Sequence, residues 1–451
     1  MKTPMLARWA ILAMLAAQAG AAHAIDLVGA YEQALRHDPN QLAANSAVVA
    51  GRELAVQGDA LLRPRVGLRA GVNRIDDHMS GSVPSSIAAL VPSHSSGTVR
   101  QASIEITQPI YDAGASAERR QLKQRASLAE TEFDQAQQDL AQRVAAAYFG
   151  VISSQESLRV TLAEKTAITM QLERAQARFN VGRGKITDVQ EARARYDQIQ
   201  TKEINARNVL ELRSALFKET TGASPDDLSG LVDGFAASPP DPDSLQSWQE
   251  RGEAQSNFVR ERQESLAIAS AEVDKHQLSS RPTLNAVASY SPRGQSGSLS
   301  PIGYPSSDRT GVVGLQFNMP LYAGGGMDSR ERQSLARREE AEQELAAAQR
   351  DVRLQVQDAY LAVRMGVSRI ASSEQSLISA RSALDATTLG RDVGTRTELD
   401  VLDAQQRAFA AEFDVVQARL DYLMGRIRLS AAVGELGEEQ LRAVGAWLSA
   451  P

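Results

Sequence analysis

Cysteine is absent from the 451 residues. That excludes disulfides, thiolate metal ligands, a cysteine nucleophile and lipid attachment to an N-terminal cysteine. Aromatic residues make up only 5%, and much of the 43% apolar content is alanine. An aromatic-rich globular core is therefore not expected. Histidine is scarce. Beyond residue 24 only His37, His78, His94 and His276 occur, and no two have metal-ligand spacing. No basic run is interleaved with aromatics, and the net charge is −6, so nucleic acid is not an expected partner. Past the N-terminus no apolar run approaches the roughly 20 residues of a membrane-spanning helix. Any membrane insertion must therefore use strands.

The first residues carry Lys2 and Arg8, then "WAILAMLAAQAGAA", then Ala22-His23-Ala24. A basic start, an apolar run and a small-x-small ending predict a signal peptide over residues 1–24. A membrane anchor is the alternative, and the run is short for it.

What is present is a duplication. "QPIYDAG" (108–114) recurs as "MPLYAGG" (319–325), and "AAYFGVI" (146–152) as "DAYLAVR" (358–364). "VGRGKITDVQEAR" (181–193) recurs as "VGTRTELDVLDAQ" (393–405). The shift is about 212 residues throughout. The repeats span 25–222 and 249–434, with a linker at 223–248 and a tail at 435–451. Each repeat reads helix, strand, loop, strand, long helix, turn, helix.

Strands are expected near 64–77, 99–111, 282–291 and 310–322. Val66, Leu68, Ala70 and Val72 alternate with polar or small residues, as do Ile104 and Ile106, Leu284 through Tyr290, and Val313 through Met319. Period two means one apolar and one polar face. A soluble sandwich would alternate in the same way. Gly/Ser/Pro-rich stretches, 78–97 and 292–308, are expected as long loops.

The helical hairpins cover 118–221 and 330–434. Residues 118–179 contain no proline, about 90 Å of helix at 1.5 Å per residue. The second arms are shorter, and the helical segments 27–62 and 243–280 are expected to stack end-on above them. In the last helix Leu399, Leu402, Gln406, Phe409, Phe413, Val416, Leu420, Leu423 and Ile427 step 3,4 throughout. Val401, Ala404, Ala408, Ala411, Val415, Ala418 and Tyr422 form a second such seam on the opposite side. Two opposed seams predict a neighbouring helix on each side. A fully buried globular helix is the alternative, and the charges on the remaining faces argue against it.

Four strands cannot close a barrel in lipid, because open edges leave backbone groups unpaired. An oligomer is expected. The fold class is thus an α+β membrane protein of two repeats, each with two transmembrane strands and long coiled-coil helices.

At this point the sequence resembles the TolC family, the outer-membrane channels of type I secretion and efflux systems. The resemblance covers 25 to about 441. It is carried most specifically by "RFNVGRGKITDVQEARARYDQ" (178–198), "VGTRTELDVLDAQ", "QPIYDAG" and "MPLYAGG". It implies a homotrimer, a 12-stranded barrel in outer-membrane lipid and an α-helical tube in the periplasm. The linker and the tail would form a belt around that tube. It also implies a periplasmic adaptor and an inner-membrane ABC or other transporter as partners. The two Val-Gly turns would lie at the periplasmic tip. Asp400 and Asp403 match the family's pore-constricting acids. Arg396 matches a latch residue that bonds toward Thr187 and Asp188, and Arg391 stands where a latch tyrosine is usual. Val181, Gly182, Val393, Gly394 and Thr395 match the adaptor-contact turns.

The same residues have a local reading. Thr187 with Gln190, and Thr397 with Asp400, fit capping boxes, and acids in a first helical turn favour the helix dipole. Asp400 and Asp403 lie at i and i+3, on one face. Threefold symmetry would stack them as two carboxylate rings, a cation-selecting device. An enzyme is the first rival. "VGRGKI" has Ile186 where a phosphate loop needs Ser or Thr, and Phe179 where it needs Gly. No catalytic group, cofactor or metal is expected. The second rival is a soluble coiled-coil adaptor, which the strand pairs and the duplication oppose. Protein export is favoured over small-molecule efflux, which uses the same architecture.

Overall fold

The computed structural model describes residues 25–78, 80, 94–226, 228–232, 234–299 and 305–449. The expected signal peptide lies outside them. The first repeat holds α1 (Leu27–His37), α2 (Pro39–Ala60), β1 (Arg65–His78), β2 (His94–Tyr111), α3 (Ala113–Asn180) and α4 (Ile186–Thr221). β3 (Gly230–Leu231) follows. The second repeat holds α5 (Leu245–Gln255), α6 (Asn257–Leu278), β4 (Thr283–Gly297), β5 (Ser306–Asn318), α7 (Gly326–Asp392) and α8 (Glu398–Ala432). α9 (Glu438–Gly445) and β6 (Leu448–Ser449) close the chain. The chain divides into two compact units. One comprises 48–130 and 262–345, and the other the remainder.

The first unit contains an antiparallel sheet ordered β1-β2-β4-β5. Its register lines up the apolar alternation of all four strands. Val66 pairs with Ile106, Ile106 with Ala288, and Ala288 with Val313. Leu68 pairs with Ile104, and Ile104 with Tyr290. These side chains lie on one face because the pleat has period two, and they are open to the surroundings: Leu68 is 73% exposed and Val313 88%. β1 and β5 each have one edge with no partner strand among the described residues. No described helix is long and apolar enough to cross a membrane.

The strands reach further into the expected loops than alternation suggested. β1 extends to His78, and β2 begins at His94, its backbone partner. β4 and β5 likewise take up most of 292–308. Backbone pairing continues there through glycine, serine and charged residues that carry no apolar signal. β5 stops at Asn318, short of the expected 322. Pro320 has no N–H to give a ladder, and β5 is an edge. β2 runs on to Tyr111 through an irregularity at Pro109. There Asp112 accepts a hydrogen bond from the Ala115 N–H (2.8 Å) and starts α3.

The second unit contains the core of the hairpins. Each expected end-on helix proves to be two helices. Asp38 precedes Pro39, which disfavours helical backbone before it, and the chain breaks there between α1 and α2. The Asp38 carboxylate accepts from the Gln41 N–H (2.9 Å) and from both terminal nitrogens of Arg143 (2.8 and 3.3 Å). Burial alone would raise its pKa. The Arg143 hydrogen bonds and the backbone N–H groups prevail and hold it below the ordinary value. Ser256 marks the equivalent break between α5 and α6. The short arms end against these breaks. Gly222 (φ 74°), after α4, has the His37 ring where a Cβ would stand, and Gly434 (φ 80°), after α8, has the Gln255 carbonyl there. Both are left-handed positions that glycine alone occupies freely.

α8 has a neighbour on each side, as its two seams predict. The Val401–Tyr422 seam is wholly buried. There Gly366 of α7 sits against Tyr422, and Gly425 of α8 against Val363. On the other side Ser153 of α3 donates to Gln417 (2.8 Å), and Leu402 packs on Ile168 and Ile199. The linker and tail pair through β3 and β6. They are pinned from two sides. The Tyr148 hydroxyl lies 3.0 Å from the Ile25 and Ser229 carbonyls, and the Tyr422 hydroxyl donates to the Ser238 carbonyl (2.8 Å). Burial pushes the Tyr148 pKa up to about 12.

Candidate functional site

The two Val-Gly turns have one geometry. α3 ends at Asn180, Gly182 takes φ 73°, and the Arg183 N–H returns to the Arg178 carbonyl (2.8 Å). α7 ends at Asp392, Gly394 takes φ 82°, and the Thr395 N–H returns to the Gly390 carbonyl (2.8 Å). This is a left-handed helix stop, which spends glycine at the one position where a Cβ is strained. Val181, Gly182, Val393, Gly394 and Thr395 are all exposed.

The helices that leave the turns start differently. At Thr397 the expected capping box forms. The Thr397 N–H and hydroxyl donate to the Asp400 carboxylate (2.8 and 2.9 Å), and the Asp400 N–H donates to the Thr397 hydroxyl (3.2 Å). The backbone N–H of Thr397, then its hydroxyl, hold the Asp400 pKa below the ordinary 3.8 against a small opposing burial effect. At Thr187 no box forms. α4 begins two residues earlier than a Thr187 cap requires, with Lys185 at the cap and no side-chain cap bond. The turns 181–185 and 393–397 are equally long, and the cap position that Thr397 holds in the second is held by Lys185 in the first, which has no side-chain acceptor. Thr187 is then already inside the first turn, where its hydroxyl reaches only Asp188 (3.5 Å).

Among the described residues, Arg396 makes no hydrogen bond or ion pair with Thr187 or Asp188 of its own chain. Its stem lies back over the last turn of α7, with Cγ 2.8 Å from where a Gly390 Cβ would be. From there its charge acts on Asp400. Other side chains join the repeats. Glu398, at the start of α8, accepts from Arg178 of α3 (3.4 Å) and from Arg391 of α7 (3.5 Å). Arg391 also bonds Asp392 (2.7 Å) and is only 10% exposed. Arg195 of α4 donates to Asp403 (2.6 Å) and to Gln406 (3.2 Å). Asp403 is therefore paired with the first repeat, whereas Asp400 is engaged with its own helix start. Sequence reasoning missed Arg178, Arg195 and Glu398. Each reads as an ordinary solvated charge on a helix, and nothing in its spacing names a partner some 210 residues away.

Beneath these pairs Ile168, Ile199 and Leu402 form a small apolar cluster with Tyr196 against it. Ala175, Val189 and Ala192 form another, nearer the turn. The contacts between the repeats at the tip are thus few, small and largely polar. Elsewhere α8 is held by long apolar seams. A polar, thinly packed end on firmly packed helices can be displaced at low cost.

The family model described as "Outer membrane efflux protein" matches residues 30–222 and 252–435, one copy per repeat. The chain is 30% identical over 440 residues to the outer membrane protein TolC of Vibrio cholerae, covering 97% of each chain. It is 28% identical to the alkaline protease secretion protein AprF of Pseudomonas aeruginosa, covering 94% of this chain and 88% of that protein. Among solved structures, the CmeC outer membrane channel of Campylobacter jejuni superposes with a TM-score of 0.77 at 14% identity, covering 94% of this chain and 90% of that one. Membership sets aside the soluble adaptor. The chain belongs to the outer membrane efflux protein family, as an outer-membrane channel of the TolC type whose helices form the periplasmic tunnel.

Proposed function

We propose that three copies of this chain close a 12-stranded barrel and a helical tube, the exit duct of a tripartite export system. One observation carries the reading: a four-stranded sheet with an apolar face open to the surroundings and an unpaired edge on each side. Exposed edges template further pairing. In lipid they are satisfied only by closure. The helices agree. Leu42, Val49 and Val56 repeat every seven residues along α2 and are 46–60% exposed, a seam left uncovered by the described residues.

The cargo we infer is protein, handed over by an inner-membrane ABC transporter and a periplasmic adaptor. AprF, similar along most of the chain, is named for protease secretion. Multidrug efflux through the same duct is the second reading. The adaptor would seat on the exposed turns at Val181, Gly182, Val393, Gly394 and Thr395. Asp400 and Asp403 would ring the constriction. Arg396, unpaired with Thr187 and Asp188 of its own chain, would reach Thr187 and Asp188 of the partner subunit and latch the closed tip from outside.

The mature chain should be extracted from membranes only with detergent, and light scattering should give three copies per particle. A monodisperse monomer in detergent-free buffer overturns the reading. Deleting the gene should abolish export of a large secreted protein. Retained secretion with lost drug resistance would favour efflux instead.

A further inference from the structure

Asp403 is already compensated in this arrangement. Arg195 places one guanidinium nitrogen 2.6 Å from its carboxylate and another 3.2 Å from Gln406, one turn further along α8. The planar fork thus holds two positions of one helix face. The pair is partly shielded, with Arg195 32% and Asp403 40% exposed, so water screens it less than a free surface pair.

The other ion-paired cations of α4 behave differently. Lys202 pairs with Glu164 (2.7 Å) and Arg207 with Glu203 (2.8 Å), both acids of the first repeat. Those pairs travel with their own hairpin. Arg195 alone among the ion-paired cations of α4 uses an acid of the second repeat. It lines a narrow crevice of about 90 Å³ between the repeats, together with Glu164, Lys202, Leu402 and Gln405. The Gln405 side-chain oxygen is buried there with no partner among the described residues. The crevice is a seam that a shift of α8 would open.

We infer that Arg195 sets the charge of the constriction according to its state. This rests on the channel reading above. While α8 lies against α4, Arg195 cancels Asp403, and Asp400 alone presents a free negative charge at each of three symmetric positions. When α8 moves away from α4, the pair breaks and Asp403 is released. The open tip is therefore more acidic than the closed one. The duct that transmits cargo attracts cations more strongly than the duct at rest. Arg195 is a specificity-determining residue that acts through Asp403.

The test uses the full-length channel in planar bilayers, with Mg²⁺ as the probe and block of the low-conductance state as the readout. Asp403→Asn alone should weaken Mg²⁺ block, because it leaves the Arg195 charge uncompensated on each subunit. Arg195→Gln should raise Mg²⁺ affinity of that state about tenfold by freeing Asp403. Adding Asp403→Asn to Arg195→Gln should abolish that gain, and Arg195→Lys should resemble the parent. The inference is overturned if Arg195→Gln changes nothing, or if the double variant Arg195→Gln/Asp403→Asn blocks as weakly as Asp403→Asn alone instead of returning to the parent. Should Arg195→Gln not assemble, the neutral double variant Arg195→Gln/Asp403→Asn, which leaves no charge unpaired, carries the test against Asp403→Asn alone. Failure of the channel reading is separate, since no variant, nor the parent, would then form pores.

Discussion

Asp400→Asn should weaken multivalent-cation block of the channel about tenfold or more, the largest loss of any single substitution at the tip. In the proposed trimer three such carboxylates would act together on one ion, each unit charge near a water-filled axis adding to the others. Asparagine separates this role from helix capping. Its side-chain oxygen can still accept from the Thr397 N–H and hydroxyl, which now hold the aspartate at 2.8 and 2.9 Å. Alanine would remove both roles at once, so Asp400→Ala confounds them. If Asn leaves block unchanged while Ala lowers it, the residue only starts a helix.

Acid gives a second readout of the same residue. The Thr397 hydrogen bonds lower the Asp400 pKa below 3.8. A depressed carboxylate keeps its charge down to its folded value. Its contribution to the helix start is present above the ordinary aspartate pKa and lost as pH falls through the lower, folded one. Block should hold between pH 7 and pH 5. A midpoint inside that window would mean that the three carboxylates repel one another enough to raise their pKa, and that the symmetric ring is tighter than one chain implies.

Much of this was legible before any coordinates. The 212-residue duplication predicted the repeats, because each copy must build the same hairpin. The two seams of α8 predicted its two neighbours, because a stripe of Val401, Ala404 and Ala408 has no other use on a charged helix. Alternation found the strands, since one face of each must be apolar. What alternation could not find were the strand ends near His78 and Ser306, where backbone pairing persists without an apolar face. Nor could local signals tell Thr187 from Thr397. Both precede an acid and a helix, and the place in an equally long turn decides which becomes the cap: Thr397 is the last residue of its turn, where the first turn has Lys185. The bonds that join the repeats within one chain were the least legible part. Arg396 has the matching motif, yet its stem is folded onto Gly390. Arg178, Arg391, Arg195, Glu398 and Asp403 instead make the bonds between helices, because tertiary packing and not sequence spacing brings them together.

Glu398→Ala should open the tip. Glu398 stands between Arg178 of the first repeat and Arg391 of the second, at 3.4 and 3.5 Å. An ion pair on an open surface contributes about 0–1 kcal/mol. This one is better shielded: Glu398 is 13% exposed and Arg391 10%. Removing one partner of a buried pair costs more, up to about 3–5 kcal/mol, because a charge is left without compensation. Here Arg178 would lose its partner and Arg391 would keep Asp392 alone, both close to the N-terminal, positive end of α8. Repulsion would act between α3 and the α7–α8 pair, across the same boundary that the small Ile168–Ile199–Leu402 cluster holds. Single-channel conductance should rise severalfold. The trimer should stay intact, because the buried Val401–Tyr422 seam does not involve Glu398. Adding Arg178→Gln should reverse much of the effect by removing one of the opposed charges. Arg396→Ser should open the tip only if its partner lies on another subunit, and its effect should then add to that of Glu398→Ala, since the two contacts share no residue. Unchanged conductance in Glu398→Ala, with assembly preserved, would mean that the tip is closed by contacts between subunits alone.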